Sequence, residues 1–140
     1  MKPAVYARGH FLRLLTCGVA AALRPVGVKA ASLRSHAFSG HPEPRPDVDG
    51  GLVLEGSAVR ADLADTFDGI RSIPHVADGI GCHCGCGAMP EMRSLLSCYE
   101  GFGMAQFCVI CEGEGRLAVE LHSEGRTLDE IRMAIDRRFG

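Results

Sequence analysis

The sequence lacks an excess of charge of either sign. Its 140 residues carry 15 Lys and Arg side chains and 17 Asp and Glu side chains, for a formal net charge of −2. Proteins that bind nucleic acid electrostatically carry a basic surface, and acidic interaction tails carry runs of acidic residues. The balance of charge therefore predicts neither a nucleic-acid-binding protein nor an acidic tail.

Long apolar runs and strand-like alternation are also missing. No apolar run in the sequence approaches the roughly 20 residues that cross a bilayer as a helix. No stretch alternates apolar and polar residues convincingly with the period of two that indicates a half-buried strand. Nothing indicates a Ser-His-Asp triad, a phosphate-binding loop or a nucleotide site. These absences predict a mainly helical protein without a transmembrane segment.

The first 31 residues have the layout of an export signal. Three basic residues (Lys2, Arg8 and Arg13) precede a short apolar stretch at 14–23. We therefore expect an exported protein, periplasmic or otherwise extracytoplasmic. A disordered start on a cytosolic protein is the alternative.

Export would affect the chemistry of the cysteines. An extracytoplasmic compartment permits disulfide bonds, so six cysteines in a small exported domain could simply be three staples. Cys17 is a candidate for lipidation, which would associate the protein with a membrane, although Thr16 before it is a poor residue for that motif.

Residues 32–56 are predicted to be a linker. Pro42, Pro44 and Pro46 alternate with polar residues, a pattern typical of an extended, semi-rigid segment. The pair Gly50-Gly51 then interrupts it. The linker leads into a helical cysteine-cluster domain at 57–140.

This domain carries the apolar spacing of helices. Val59, Leu63, Phe67 and Ile70 recur at intervals of three and four and lie on one helix face, which ends before Pro74. Further helices are predicted from Pro90 to the break at Gly101, from Ala105 to Glu124, and after the capping box Thr127–Glu130. The predicted fold is mainly α, a small bundle of three to four helices with a glycine- and cysteine-rich loop. A core of this size supplies only about 3–5 kcal/mol, so a metal or disulfide staple would stabilise it.

Six of the seven cysteines fall between Cys82 and Cys111. The first three lie at alternate positions in the glycine-flanked loop at 81–87. Glycine turns tightly at little cost, so such a loop can direct its sulfur atoms towards one point. A disulfide between adjacent members of this set would close a small, strained ring.

Cys108 and Cys111 form a Cys-x-x-Cys pair near the start of a predicted helix. The positive end of the helix dipole lowers the pKa of thiols placed there. This spacing serves either a redox disulfide or two ligands of one metal ion.

A group of thiolates suits Cu(I), another thiophilic ion, or Zn(II), and the nearby thioethers favour Cu(I). The predicted metal ligands are Cys82, Cys84, Cys86, Cys98, Cys108 and Cys111, with His83, Met89 and Met92 as additional candidates.

Three functions follow from these residues. The first is extracytoplasmic binding of a soft metal, with the ion as partner. The second is thiol–disulfide exchange, in which Cys108 and Cys111 would be catalytic and a redox protein would be the partner. The third is a disulfide-stapled structural module. Only the second would make the protein an enzyme.

The sequence resembles the CYCXC (PCYCGC-motif) family of exported bacterial cysteine-cluster proteins, some of which carry selenocysteine. The resemblance covers 73–140 and depends on the motif at 82–87, Cys98-Tyr99, Cys108-Val-Ile-Cys111 and the tail at 124–131. It implies an exported cysteine-cluster protein more directly than any activity. This chain departs from the family pattern at Gly81, where proline is usual, at His83, where tyrosine is usual, and near Met89 and Met92, where histidines occur.

A second, shorter resemblance covers 108–140. The Cys-x-x-Cys pair that opens a helix, together with Glu124-Gly125-Arg126-Thr127 and Arg138-Phe139-Gly140, is similar to the three-helix thiol oxidoreductase of cytochrome c maturation. That resemblance implies that Cys108 or Cys111 attacks a disulfide of a partner. The four other cysteines have no counterpart in such a role.

We expect the mature protein to begin after about Ala30, because small residues at Val28-Lys29-Ala30 follow the apolar stretch as a cleavage site does. N-terminal sequencing of the protein from its native cell checks this. An intact Met1 in the cytosolic fraction would contradict export.

Overall fold

The computed structural model describes Phe38 and residues 40–140. The predicted export signal at 1–31, with Cys17, lies outside the described residues. Four α-helices occur in the described part: α1 (Ala64–Ser72), α2 (Pro74–Asp78), α3 (Val109–Ser123) and α4 (Leu128–Phe139). Short 3-10 turns lie at Gly56–Ala58, Cys86–Ala88, Leu96–Cys98 and Met104–Phe107.

These elements confirm the predicted helical fold. In the part of the chain that the structure describes, β-type pairing is limited to one antiparallel bridge between Val53 and Glu100. The searched residues contain no helix with both the length and the apolarity that a membrane crossing requires.

Helix α3 lies between α1 and α4 and contacts both. Its buried face consists of Cys111, Glu114, Gly115 and Ala118, at the intervals of three and four that define one side of a helix. The apolar spacing of the sequence also places Leu117 and Leu121 on this face beside Cys111 and Ala118, but both leucines are only half-buried. Small residues thus dominate the face of α3 that meets the core.

Gly115 permits the Tyr99 side chain to approach α3 closely. A Cβ atom at this position would lie 1.9 Å from the Tyr99 hydroxyl oxygen, which no packing could accommodate. Tyr99 is fully buried, and its hydroxyl donates a hydrogen bond to the Cys111 carbonyl oxygen at 2.8 Å. This contact brings the turn that carries Cys98 against α3.

Helix α4 begins with the predicted capping box. The Thr127 hydroxyl accepts a bond from the Glu130 amide, and the Glu130 carboxylate accepts one from the Thr127 amide. Gly125, at φ +78°, turns the chain between α3 and α4. Ile131 and Ile135 on α4 are fully buried and complete the core.

The helix predicted from Pro90 to Gly101 is wrong. The Leu95 amide donates at 2.7 Å to the Ile80 carbonyl, outside this segment, and therefore cannot make an α-helical bond to residue 91. Only the 3-10 turn Leu96–Cys98 forms. The predicted start of the next helix at Ala105 is also wrong, because α3 begins at Val109 after a separate turn.

The described part of the predicted linker packs against the helices. Val53 is buried in the core, so the packed structure begins before Ser57. We call Phe38 and residues 40–45 the N-terminal arm. The arm is held by Asp78, a fully buried carboxylate that accepts bonds from the Arg45 amide at 2.8 Å and from Arg45 Nη2 at 2.9 Å.

Asp78 also accepts hydrogen bonds from Arg93 Nη1 at 2.7 Å and Ser94 Oγ at 3.1 Å. Burial raises the pKa of Asp78, but the hydrogen bonds from Arg45, Arg93 and Ser94 outweigh it and hold the pKa below its ordinary value. The folded protein therefore favours the charged carboxylate, which fastens three chain segments together.

Replacing Asp78 with asparagine should lower the free energy of unfolding by about 2–3 kcal/mol, since buried bonds to a charged group are lost. The stabilisation by Asp78 is complete above the ordinary pKa of about 4 and is lost as pH falls through the lower folded pKa. Denaturant unfolding across this range should show a smaller acid-dependent loss for D78N. The exposed Asp65→Asn serves as control, and equal stability of D78N and D65N would contradict the role of Asp78.

Candidate metal centre

Four cysteine sulfurs meet at the junction of the cysteine loop with the core. The Sγ atoms of Cys82, Cys84, Cys98 and Cys111 all lie within 4.8 Å of one another, and we call them the sulfur quartet. Two come from the loop, one from the turn Leu96–Cys98 and one from α3. All six cysteines of the described residues are free thiols.

The quartet is buried except at one edge. Cys98 and Cys111 are fully buried, Cys82 is 8% exposed, and Cys84 is half-buried. The Sγ atoms of Cys82 and Cys111 are 3.4 Å apart. Access from solvent to the quartet is therefore greatest at Cys84.

The spacing fits a single ion with four sulfur ligands. A metal–sulfur bond of about 2.3 Å in tetrahedral geometry puts ligand sulfurs about 3.8 Å apart. The quartet separations, all within 4.8 Å, require only small side-chain adjustments to reach this arrangement. Tetrahedral sulfur coordination is typical of zinc and iron–sulfur sites, and thiolates also select Cu(I).

The thiols cannot all ionise together in this setting. The pKa of Cys84 is lowered because the neighbouring thiols of Cys111, Cys82 and Cys98 stabilise its thiolate. The pKa of Cys111 is raised by its contacts with Cys82, Cys84 and Cys98 and by burial. The bond with Cys111 lowers the pKa of Cys82, but Cys84, Cys98 and burial raise it overall. Without a cation, the quartet therefore favours the thiolate form of Cys84 and the thiol forms of Cys82 and Cys111.

Cys86 lies beside the quartet but is not a member. Gly85, at φ +84°, turns the loop so that Cys86 Sγ lies 2.7 Å from Cys84 Sγ. The Cys86 amide also donates to Cys84 Sγ at 3.3 Å. Burial and the adjacent Cys84 raise the pKa of the Cys86 thiol to about 12.

Glu114 fixes the loop to α3. Its Oε1 accepts bonds from the His83 amide at 2.9 Å and from His83 Nδ1 at 2.7 Å. Burial raises the pKa of the Glu114 carboxyl overall, and the Cys82 thiol and the His83 amide and ring oppose this rise only in part. Its second oxygen, Oε2, has no hydrogen-bond partner among the described residues. Glu114 was not predicted as a site residue from the sequence, although it lies one helical turn after Cys111.

His83 faces carboxylates with both ring nitrogens. Nδ1 meets Glu114, and Nε2 lies 3.1 Å from Asp136 Oδ1 on α4. The Phe38 ring stacks on the His83 ring, with centroids 4.0 Å apart and planes 11° from parallel. His83, a predicted ligand, thus anchors the loop in this structure and is not part of the quartet.

His41 of the arm makes a matching contact. Its Nδ1 accepts a hydrogen bond from the Gly81 amide at 3.1 Å, and its Nε2 lies 3.1 Å from Asp136 Oδ1. A Cβ atom on Gly81 would lie 2.4 Å from the Gly40 carbonyl oxygen, so the arm can pass only over glycine. Proline, usual at this position in the CYCXC pattern, would also lack the amide N–H that donates to His41 Nδ1.

The other predicted ligands are not members of the quartet. Cys108 is half-buried and is the residue that precedes the first turn of α3. Met89 is 41% exposed, and Met92 packs against the hydrophobic core. The structure thus brings together four of the six predicted cysteines, places Cys86 against Cys84, and leaves Cys108 outside the quartet.

Replacing Glu114 with glutamine should loosen the cysteine loop, because the charge-assisted bonds to His83 become weaker neutral ones. In metal-free protein, alkylation of the quartet thiols should become about tenfold faster. This corresponds to a free energy of local loop opening that is lower by about 1.4 kcal/mol. Mass spectrometry of the alkylated peptides measures these rates. Glu112→Gln is the matched control, since Glu112 lies on the same helix and pairs with Arg116 near the surface. Equal alkylation rates for E114Q and E112Q would refute the anchoring role.

No family model, curated protein or solved structure matches the chain. The resemblance to the CYCXC family accordingly stays a prediction from the sequence motifs. The candidate metal centre is defined by the arrangement of this chain's own residues.

Proposed function

We propose that this protein binds a thiophilic metal ion through Cys82, Cys84, Cys98 and Cys111. The observation that carries the proposal is the convergence of four sulfur atoms, from three separate segments, to within 4.8 Å of one another. Metal thiolate sites require several cysteines at such distances, and the fold provides them at the edge of its core.

Packing alone is a weaker explanation for this arrangement. Buried cysteine often acts as a small hydrophobic residue, and Cys98 and Cys111 fit that description. Cys82 and Cys84, however, are delivered by a loop that a buried carboxylate clamps to α3. A buried carboxylate with an unpartnered oxygen costs about 1–3 kcal/mol. Such a cost is better explained by a need to position the sulfurs than by core stability.

Electrostatics also supports a cation. The quartet favours the thiolate form of Cys84, and further ionisation is opposed by the first charge and by burial. A metal ion removes this opposition because it neutralises the thiolates as they form, and its binding releases their protons. A cation at the centre would therefore convert mutual repulsion into attraction.

The sulfur quartet suits Zn(II) by ligand number and Cu(I) by ligand softness. The predicted preference for copper depended on the thioethers of Met89 and Met92. Met89 is exposed and Met92 packs on the core, so the four thiolates are the firmer part of the ligand set. We propose Cu(I) or Zn(II) as the bound ion, with an extracytoplasmic location, which the signal-like start at 1–31 and the CYCXC resemblance support.

Reduced, metal-free protein should take up one ion per chain in competition with a chromophoric chelator for Zn(II) or Cu(I). Loading should raise the melting temperature, because the energy of binding to a site absent from the unfolded chain becomes folding energy. Replacing Cys98 or Cys111 with serine should lower the affinity more than about 100-fold, beyond the effect of residues around a ligand shell.

Cys108→Ser provides the contrast in this titration. Because Cys108 is not in the quartet, C108S should bind the ion with an affinity close to that of the wild-type protein. Failure of the reduced wild-type protein to bind either ion would refute the proposal. Isolation of native protein with three stable disulfides would instead support the structural-module alternative.

Thiol–disulfide exchange is the second candidate, and the position of Cys108 favours it. Cys108 is half-buried at the start of α3, while Cys111, three residues later, is fully buried. Cys108 would then attack a partner's disulfide, and Cys111 would resolve the mixed disulfide. Under this function, C108S should abolish reduction of a model disulfide, and replacement of Cys84 should not. Activity that persists in C108S would exclude it.

A further inference from the structure

One sulfur at the centre has no place in a four-ligand site. Cys86 lies next to Cys84, with 2.7 Å between their Sγ atoms, yet it is outside the quartet. A fifth cysteine so close to a complete set of ligands is not required for holding one tetrahedral ion. Its position therefore calls for another role.

Cys86 lies on the open side of the quartet. Cys84 is the half-buried member, whereas Cys82, Cys98 and Cys111 are buried. Cys86 is itself half-buried, and the residues that follow it, 87–91, are all exposed. Cys86 thus stands between the buried sulfurs and solvent.

Cys86 also lies within reach of a bound ion. A metal–sulfur bond is about 2.3 Å long, so an ion held by Cys84 would lie within about 5 Å of Cys86 Sγ. Gly85 and Gly87 flank Cys86, and glycine permits backbone rotation at little cost. A small movement of this turn would bring Cys86 Sγ to bonding distance of an ion that Cys84 also holds.

We propose that Cys86 is the exchange ligand of the centre, through which the metal ion enters and leaves the quartet. This inference rests on the proposed metal-binding function and adds a route for the release of the ion. The route runs from the buried sulfurs of the quartet through Cys84 and Cys86 to an acceptor that carries thiols. The acceptor is a molecule with two adjacent thiols, because it must compete for the ion with the paired sulfurs of Cys84 and Cys86.

Each step of the transfer is a ligand exchange. The Cys86 thiol loses its proton as its sulfur forms a bond to the metal and a bond from the metal to one of the buried sulfurs breaks. An acceptor thiol then forms a metal–sulfur bond and displaces Cys86 or Cys84. The proton released by each incoming thiol ends on the sulfur that leaves. The metal keeps its oxidation state, so no electron donor or acceptor is needed.

The test compares equilibrium binding with exchange kinetics in Zn(II)-loaded protein. Transfer of Zn(II) to an excess of a small dithiol is followed by stopped-flow ultraviolet absorbance of the zinc–thiolate centre. In wild-type protein the rate should rise with dithiol concentration. In Cys86→Ser and Cys86→Ala the rate should fall at least about tenfold, while the affinity for Zn(II) stays within about threefold of the wild-type value.

Ala88→Ser is the matched control. It changes an exposed residue of the same turn and introduces a hydroxyl group, as Cys86→Ser does. It should exchange Zn(II) at the wild-type rate. Wild-type exchange rates in both Cys86 variants, with normal affinity, would overturn the inference and leave the proposed function intact. A loss of affinity as large as that of Cys84→Ser would also overturn it, since Cys86 would then be a permanent ligand. Absence of Zn(II) and Cu(I) binding in wild-type protein would instead overturn the proposed function.

Discussion

The hydrogen bonds between His83 and Glu114 set the position of the cysteine loop, and the sulfur arrangement depends on that position. Cys111 and Glu114 lie one turn apart on the buried face of α3, so one helix face supplies both a sulfur atom and the anchor for the loop. His83 lies between Cys82 and Cys84 in the sequence. Fixing its amide and its ring therefore fixes the chain on either side. Because the bonds are charge-assisted and buried, they are stronger than exposed equivalents.

The core and the candidate centre occupy the same region of the molecule. Cys98 and Cys111 belong to the hydrophobic core, and Tyr99 contacts α3 through the space left by Gly115. Packing errors in the core would therefore displace sulfur atoms directly. Conversely, an ion bound by the quartet would join the loop, the turn Leu96–Cys98 and α3. Folding and metal binding are in this way expected to be coupled.

The sequence allowed prediction of the features that depend on local spacing. The helical class, the capping box at Thr127–Glu130 and the end of a helix before Pro74 follow from periodicity and capping, and all are present. The segment after Pro90 carries a helical stripe, but the amide of Leu95 finds its partner at Ile80, which no local pattern reveals. Glu114 and Asp78 were missed because acidic residues are usually solvated. The hydrogen-bond partner of Glu114 is 31 residues away, and those of Asp78 are up to 33 residues away.

The contact between His41 and Gly81 links two positions that are 40 residues apart in the sequence. Residue 81 offers an amide proton only when it is not proline, and Nδ1 of His41 accepts a hydrogen bond here only when that proton is present. The bare glycine backbone is equally needed, because the arm crosses it at Gly40. Among chains with this cysteine pattern, histidine at position 41 should therefore accompany glycine at position 81 and be absent where proline replaces it. Covariation of these two positions would distinguish chains whose cysteine loop is covered by an N-terminal arm from those whose loop is bare.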